Sequence, residues 1–309
     1  MIYDIRHVTR FDYGAPVKFA RCNLRLKPVE WPGQRLLDYR LAVAPTGHTA
    51  PAHAEAGLAN VTRLVVDQPV QRLEIDSRAA VAVDRLVPMP AADDPTLADI
   101  ARLARETRDL SPVSPAQYLY PSPRIPLDAA IAAWCAPDLD PARGALDAGI
   151  ALAQRIQREF AFDSAATLVD TSPAEAFAQR RGVCQDFAQI MITGLRAAGL
   201  PAAYASGYIR TLPPPGEARL VGADATHAWV LLWSGPAQGW VGLDPTNGIW
   251  MAGDHIVVAV GRDYGEIAPV DGVVLGSGAQ KMEVSVDVAP VDHPPALAGE
   301  EKARNNGSG

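Results

Sequence analysis

A helix-like segment followed by three strand-like segments, over residues 184–247, restricts the fold of this chain more than any other feature. The segment CQDFAQIMITGLRAAGLP starts at Cys184 and has the terminal glycine and proline that are typical of a helix end. The apolar runs AAYASGYIR, THAWVLLW and WVGLDPTN follow it, separated by Gly and Pro turns. This order predicts an α+β fold in which one helix packs on an antiparallel sheet.

The residues before this helix predict a β domain and then a connector. Alternating or β-branched runs such as MIYDIRHVTRFDY, LLDYRLAVAP and NVTRLVVDQ indicate a sandwich-like domain over residues 1–88. A short amphipathic helix and the stretch SPVSPAQYLYPSPRIP predict a helical, proline-rich connector over residues 89–142. The polar residues 294–309 predict a disordered tail.

The core domain is expected over residues 143–293. Apolar residues recur every three or four positions over 146–160, which predicts an amphipathic helix. Ser172 and Glu175 have the spacing of a capping box, so a second helix is expected there, ending at Gly182. The runs HIVVAVG and KMEVSVDVAPV add two further predicted strands.

Charge and motif content exclude several classes of protein. The 309 residues have a formal net charge of −7 and no basic stripe, which argues against a nucleic-acid partner. The charged opening stretch has neither the apolar run of a signal peptide nor the length of a membrane span, so a cytoplasmic protein without a membrane partner is expected. A Walker loop, HExxH and CxxC are absent from the sequence, so neither a cofactor nor a metal is implied.

The three cysteines, Cys22, Cys135 and Cys184, are too few and too far apart for a disulfide framework. Cys22 lies in a predicted strand and Cys135 on an apolar helical face, so both are expected to be small buried residues. Cys184 lies in the first turn of a predicted helix, where free N–H groups and the helix dipole favour a thiolate. The same N–H groups can stabilise an oxyanion on a carbonyl that the sulfur attacks.

A cysteine nucleophile needs an imidazole within hydrogen-bond reach. His227 precedes the apolar run AWVLLW, which is predicted to lie in the sheet against the Cys184 helix, so His227 is the favoured base. His255 is the alternative. The other histidines are expected at the surface or in a loop: His7, His48, His53 and His293.

An acceptor that orients the base is expected near His227. Asp244 lies 17 residues further on, a separation that fits an antiparallel hairpin through WSGPAQGW. Asp-Pro is also common turn chemistry, so a turn role for Asp244 stays open. Asp224 and Asp254 are nearby acceptors, but both lie in loop-like sequence.

The segments RRGVCQDFAQIMITGLRAAGLPAAYASGY, THAWVLLW and WVGLDPTNG together resemble the bacterial transglutaminase-like superfamily, whose members share a papain-like core. The start of the chain is similar to the β domain that precedes the core in many bacterial members. HIVVAVGRDYGEIAPVDG resembles the segment that follows their third triad residue. The resemblance implies a triad of Cys184, His227 and Asp244.

The resemblance also marks further candidates for contact with substrate or oxyanion: Gln185, Asp186, Tyr208, Arg262, Asp263 and Tyr264. All but Gln185 have a structural alternative, which is a helix cap for Asp186, a core aromatic for Tyr208, and a surface ion pair for Arg262 and its neighbours. Eukaryotic transglutaminases place a tryptophan upstream of the cysteine, whereas no tryptophan occurs between Trp134 and Cys184.

These residues predict thiol-dependent cleavage of a peptide or amide substrate. Cys184 attacks the carbonyl, His227 protonates the leaving amine and water resolves the thioester. The alternative is transfer of the acyl group to an amine, which uses the same residues. A second alternative is a catalytically silent binding module.

Overall fold

Two large β-sheets and a group of helices make up the described part of the chain, residues 1–91, 93–211 and 226–294 of the computed structural model. The first strands are β1 (Ile2–Val17), β2 (Phe19–Lys27), β3 (Gln34–Ala44), β4 (His48–Ala52), β5 (Leu58–Val66) and β6 (Val70–Val83). Burial alternates along β1 and β2, as the alternating sequence predicts for strands with one face on the core.

The helices follow β6 and are interrupted by short strands. They are α1 (Leu97–Glu106), α2 (Ala129–Cys135), α3 (Ala145–Glu159), α4 (Pro173–Gln179), α5 (Cys184–Ala197) and α6 (Tyr264–Ile267). The remaining strands are β7 (Ala161–Phe162), β8 (Arg181–Gly182), β9 (Ala202–Ile209), β10 (Thr226–Trp233), β11 (Trp240–Asp244), β12 (Ile249–Trp250), β13 (His255–Gly261), β14 (Val270–Leu275) and β15 (Gln280–Val291). Short 3-10 turns lie at Pro115–Tyr118 and Ala136–Asp138. Across the described ranges, no helix combines the length and the apolar character needed to cross a membrane.

Strands from both ends of the chain share the two large sheets. One sheet has the order β15-β1-β6-β3, and the other has the order β12-β11-β10-β9-β13-β5-β2-β14 with β4 on β5. Strands β14 and β15 therefore pair with β2 and β1, although the sequence pattern assigned them to the core at residues 143–293. Pairing between strands so distant in sequence leaves no mark on local periodicity.

Helix α5 packs on the antiparallel strands β9 and β10, as predicted. Every residue from Asp186 to Arg196 is buried, and Phe187 and Ile190 share an apolar cluster with Tyr204 and Val230 of the sheet. A helix buried on all sides is a core element, and each large apolar side chain contributes about 1.5–3 kcal/mol on burial. The first turn of α5 is therefore held firmly relative to the sheet.

The two predicted helices before α5 are confirmed, but the end of the second differs from the prediction. The α4 capping box is present, with Ser172 Oγ accepting from the N–H of Glu175 at 3.3 Å. The prediction that Gly182 ends the helix is wrong, because α4 ends at Gln179 and Arg180 takes a left-handed conformation with φ 53°. The Arg180 guanidinium lies over the rings of Trp134, Phe160 and Phe177. This stacking stabilises a backbone conformation in which glycine is usual.

Candidate active site

Cys184 is the first residue of α5 and is partly exposed, whereas Cys22 and Cys135 are buried as predicted. The turn before it is fixed by Asp186, whose Oδ2 accepts from the N–H of Val183 at 2.8 Å and from Thr167 Oγ1 at 2.7 Å. Asp186 is itself buried, so these bonds hold the helix start in place. They support the capping interpretation of Asp186.

His227 and Asp244 meet across the neighbouring strands β10 and β11. His227 Nε2 lies 2.8 Å from Asp244 Oδ2, and the hairpin between them pairs Trp233 with Trp240, as the sequence predicts. The Cys184 side chain lies close enough to His227 to act on its titration. Since Nε2 is used by Asp244, Nδ1 is the ring nitrogen available to the sulfur. Cys184, His227 and Asp244 therefore lie together, with His227 hydrogen-bonded to Asp244 and close to Cys184.

The Asp244 carboxylate accepts hydrogen bonds on both oxygens. Its Oδ1 accepts from the N–H groups of Thr246 at 2.9 Å and Asn247 at 3.2 Å, which is the turn role that the Asp-Pro sequence suggested. Its Oδ2 accepts from Asn247 Nδ2 at 2.7 Å and faces the rings of His227 and His255. One carboxylate thus closes the turn and also contacts the imidazole.

These contacts change the titration of both partners. Burial opposes the charged form of His227, but hydrogen bonds to Asp244 and Cys184 outweigh it and raise the pKa of His227 to about 10. Burial likewise opposes ionisation of Asp244, and hydrogen bonds from His227 and His255 outweigh it and hold the pKa of Asp244 below its usual range. An imidazolium paired with a carboxylate is the form that stabilises a neighbouring thiolate.

His255, the alternative base, contacts the same carboxylate oxygen of Asp244 as His227 does. It is buried at the start of β13, with Nε2 3.2 Å from Asp244 Oδ2. The sequence did not indicate this contact. Of the alternative acceptors, Asp254 bonds to Tyr3 at 2.7 Å, and Asp224 lies outside the described residues.

Two of the other candidates are Gln185, the next residue after Cys184, and Tyr264, which packs on the same core cluster. Gln185 donates from Nε2 to the Val169 carbonyl at 2.9 Å. Tyr264 packs against the same apolar cluster as Cys184, with its ring 6.4 Å from that of Tyr204. Contact of these two side chains with a substrate stays a prediction.

The remaining candidates have structural contacts. Asp263 is buried and caps α6 by accepting from the N–H of Gly265 at 2.8 Å. Arg262 lies just before α6 and forms an ion pair with Glu266 of that helix. Tyr208 is buried among core residues shared with β1 and β6, as the core interpretation requires.

The predictions for the histidines outside the candidate site are confirmed in part. His293 is exposed, as expected. The expectation that His7 lies at the surface is wrong: it is 2% exposed, with ring nitrogens 3.0 Å from Tyr208 Oη and from Thr9 Oγ1. Its ring faces Tyr208 of β9 in the other large sheet, and this contact between sheets was not visible in the sequence.

His227, Asp244 and His255 also form a group whose possible ligand atoms all lie within 4.8 Å of one another. Imidazole nitrogen and carboxylate oxygen suit zinc and similar cations. The histidine nitrogens that could bind such an ion both contact Asp244 Oδ2 instead. These three side chains therefore form a hydrogen-bond network.

Comparisons with known proteins agree with this arrangement. Residues 3–82 match the family described as "Bacterial transglutaminase-like N-terminal region", and residues 134–245 match the "Transglutaminase-like superfamily". The second match contains Cys184, His227 and Asp244. Uncharacterised proteins of Mycobacterium tuberculosis and Mycobacterium bovis are 35% identical over 308 residues, covering 94% of this chain and 93% of theirs.

Two further comparisons come from proteins with a described activity or structure. A protein-glutamine gamma-glutamyltransferase of Pseudomonas aeruginosa is 40% identical over 100 residues, which cover 31% of this chain and 15% of that protein. The crystal structure of a proposed cysteine protease from Cytophaga hutchinsonii has a TM-score of 0.69 at 19% identity, over 97% of this chain and 95% of that one. The second likeness shows the fold.

The N-terminal strands, the core helix and the sheet beneath it define a papain-like fold preceded by a strand-rich region. The chain belongs to the transglutaminase-like superfamily.

Proposed function

We propose that this protein cleaves amide or peptide bonds through a thioester on Cys184. The observation that carries the proposal is the placement of Cys184, the first residue of a buried helix, close to a His227 that is hydrogen-bonded to Asp244. Nothing in the packing of α5 requires a partly exposed cysteine to face a histidine. The same placement is the arrangement that a cysteine nucleophile requires.

In the proposed reaction, the Cys184 thiolate attacks the carbonyl carbon and forms a C–S bond and an oxyanion. The first N–H groups of α5 have no partner within the helix, so they can donate to this oxyanion. The C–N bond then breaks, and the His227 imidazolium gives its proton to the leaving amine. Water attacks the thioester, gives a proton to His227, and the C–S bond breaks to release the acid.

Acyl transfer to a primary amine is a second candidate. It is favoured by the 40% identity over 100 residues with the Pseudomonas protein-glutamine gamma-glutamyltransferase. The thioester is common to both reactions, and they differ in whether water or an amine attacks it. The partner in either case is a peptide or amide substrate.

The test is mass analysis of peptide and amide libraries after incubation with the protein, with and without an added primary amine. Hydrolysed product is expected with the native protein, and Cys184→Ala should abolish it. Cys135→Ala is the matched control, because that cysteine is buried in α2. Amine adducts in place of acid would favour acyl transfer. Unchanged libraries in both conditions would contradict both enzymatic proposals and favour a binding module.

A further inference from the structure

A second buried histidine, His255, faces the carboxylate that orients His227. It is 1% exposed, and its Nδ1 lies 3.4 Å from the N–H of Ala252. A backbone N–H can only donate, so Nδ1 accepts and the ring proton is on Nε2. That proton points to Asp244 Oδ2 at 3.2 Å. The surroundings therefore fix the tautomer in which His255 donates to the carboxylate.

The turn that presents His255 is held by the N-terminal part of the chain. Arg85, which follows β6, donates from Nη1 to the carbonyls of Ala252 at 2.9 Å and His255 at 3.0 Å. Two strand positions later, Gln34 of β3 bonds to both the N–H and the carbonyl of Val257, each at 2.8 Å. Arg85 and Gln34 thus hold β13 and its first residue, His255, in place. Neither side chain belongs to the helix or the sheet that carries the triad.

We propose that His255 is a positioning residue that fixes the Asp244 carboxylate and thereby aims His227 at Cys184. The effect of this positioning on turnover rests on the proposed function. Asp244 Oδ2 contacts both imidazoles, so a donor on one side limits movement of the oxygen away from the other. Without His255, Asn247 Nδ2, which donates to the same oxygen at 2.7 Å, is opposed only by His227, so the carboxylate can rotate towards Asn247 about its Oδ1 contacts.

The charges around the two imidazoles are consistent with different roles. The titratable groups that act on His255 are Asp244, His227 and Arg85. Burial lowers the pKa of His255, so it is a neutral donor near neutral pH, whereas the pKa of His227 is raised to about 10. The ring centroids are 6.1 Å apart, so two imidazolium ions there would repel each other.

Two amide substitutions of His255 separate its two contacts. In His255→Gln the amide reaches the position of Nε2 and can still donate to Asp244. In His255→Asn it reaches only the position of Nδ1, so the contact with Ala252 is kept and the one with Asp244 is lost. His7→Leu is the control, because His7 is also a buried histidine but bonds to Tyr208 and Thr9.

The experiment measures carboxamidomethylation of Cys184 by iodoacetamide from pH 5.5 to 9.5, together with kcat and KM on any cleaved amide. His255→Asn should lower the ratio of the labelling rate at pH 6.5 to that at pH 9.5 about 10-fold, as expected for a lost hydrogen bond to a charged group. Its kcat should fall about 10-fold with little change in KM. His255→Gln should keep most of both values, and His7→Leu should keep the native ratio.

An unchanged ratio in His255→Asn, or an equal loss in His7→Leu, would overturn the proposal. If His255→Asn does not fold, Arg85→Met loosens the same turn without touching Asp244 and should lower the ratio in the same direction. An unchanged ratio in Arg85→Met would then overturn the proposal. Because labelling requires no substrate, failure of the native protein to hydrolyse amides would refute the proposed function while the labelling ratios still decide the role of His255.

Discussion

The three cysteines have three different environments, and these environments predict their reactivity. Burial raises the pKa of Cys22 and, to about 12, that of Cys135, so both stay protonated at neutral pH. Cys184 is partly exposed at a helix N-terminus and lies close to His227. Iodoacetamide at pH 7 should therefore label Cys184 at least about 100-fold faster than the other two, as measured by peptide mass analysis. Comparable rates at all three would contradict an activated thiol.

Asp244 combines a turn role and an orienting role, and Asp244→Asn separates them. The Asn oxygen can still accept from Thr246 and Asn247, while its NH2 group no longer accepts from the imidazoles. We expect kcat to fall about 10²-fold or more, with a loss of about 1.5–3 kcal/mol in the free energy of unfolding. Turnover assays and urea unfolding test both values.

Asp244→Ala is the comparison for that variant. It removes a buried, ionised acceptor and leaves its donors without a partner, so a larger loss of about 3–5 kcal/mol is expected. Full turnover in Asp244→Asn, with a stability loss as large as that of the Ala variant, would restrict Asp244 to the turn.

At the scale of elements, Gly207 controls how closely three strands approach at the site. It pairs with His227 of β10 on one side and with Val257 of β13 on the other. A Cβ atom at this position would lie 1.9 Å from the Ile256 carbonyl oxygen. Only glycine fits there, because any side chain would meet the backbone of β13.

Gly207→Ala should therefore destabilise the protein by about 1–3 kcal/mol and lower turnover, because the added methyl pushes β13 and its His255 away from β10. Gly253→Ala is the matched control for stability, since a Cβ there meets nothing within 4 Å. Urea unfolding of the two variants measures the difference. Equal stability of both would show that the strands adjust without cost.

The elements nearest the triad were predictable because local signals define them. Helix α5 has a glycine and a proline at its end, α4 has a capping box, and the hairpin of β10 and β11 has Gly and Pro in its turn. The end of α4 was missed because Arg180 is left-handed through ring stacking, which depends on Trp134, distant in sequence. A contact between an arginine and distant aromatic rings leaves no periodic pattern in the sequence from which it could be predicted.

At the scale of the whole molecule, several missed features depend on contacts between segments that are distant in the sequence. His7 of β1 is buried against Tyr208 of β9, and Arg85 and Gln34 contact the strand that begins at His255. The sequence could indicate the triad, because its three residues lie on consecutive local elements. It could not indicate His255 as a partner of Asp244, because that contact depends on the register of β13 against β9.

The burial of His7 predicts how the stability of the whole protein depends on pH. Burial lowers the pKa of His7 from 6.5 to about 4. Between these values the unfolded chain binds a proton that the native protein does not, so stability contributed by neutral His7 is lost as the pH falls from about 6.5 to about 4. The loss is ~3 kcal/mol at most.

His7→Leu removes this titration. At pH 7 the variant should be less stable than the native protein by about 1–3 kcal/mol, because Tyr208 and Thr9 lose a partner. As the pH is lowered to 4.5, the native protein should lose stability faster than the variant, so the difference between them should shrink or reverse. His48→Leu, at an exposed position in β4, should follow the native protein throughout. Urea unfolding at each pH measures the difference, and parallel curves for native protein and His7→Leu would show that His7 titrates alike in the folded and unfolded states.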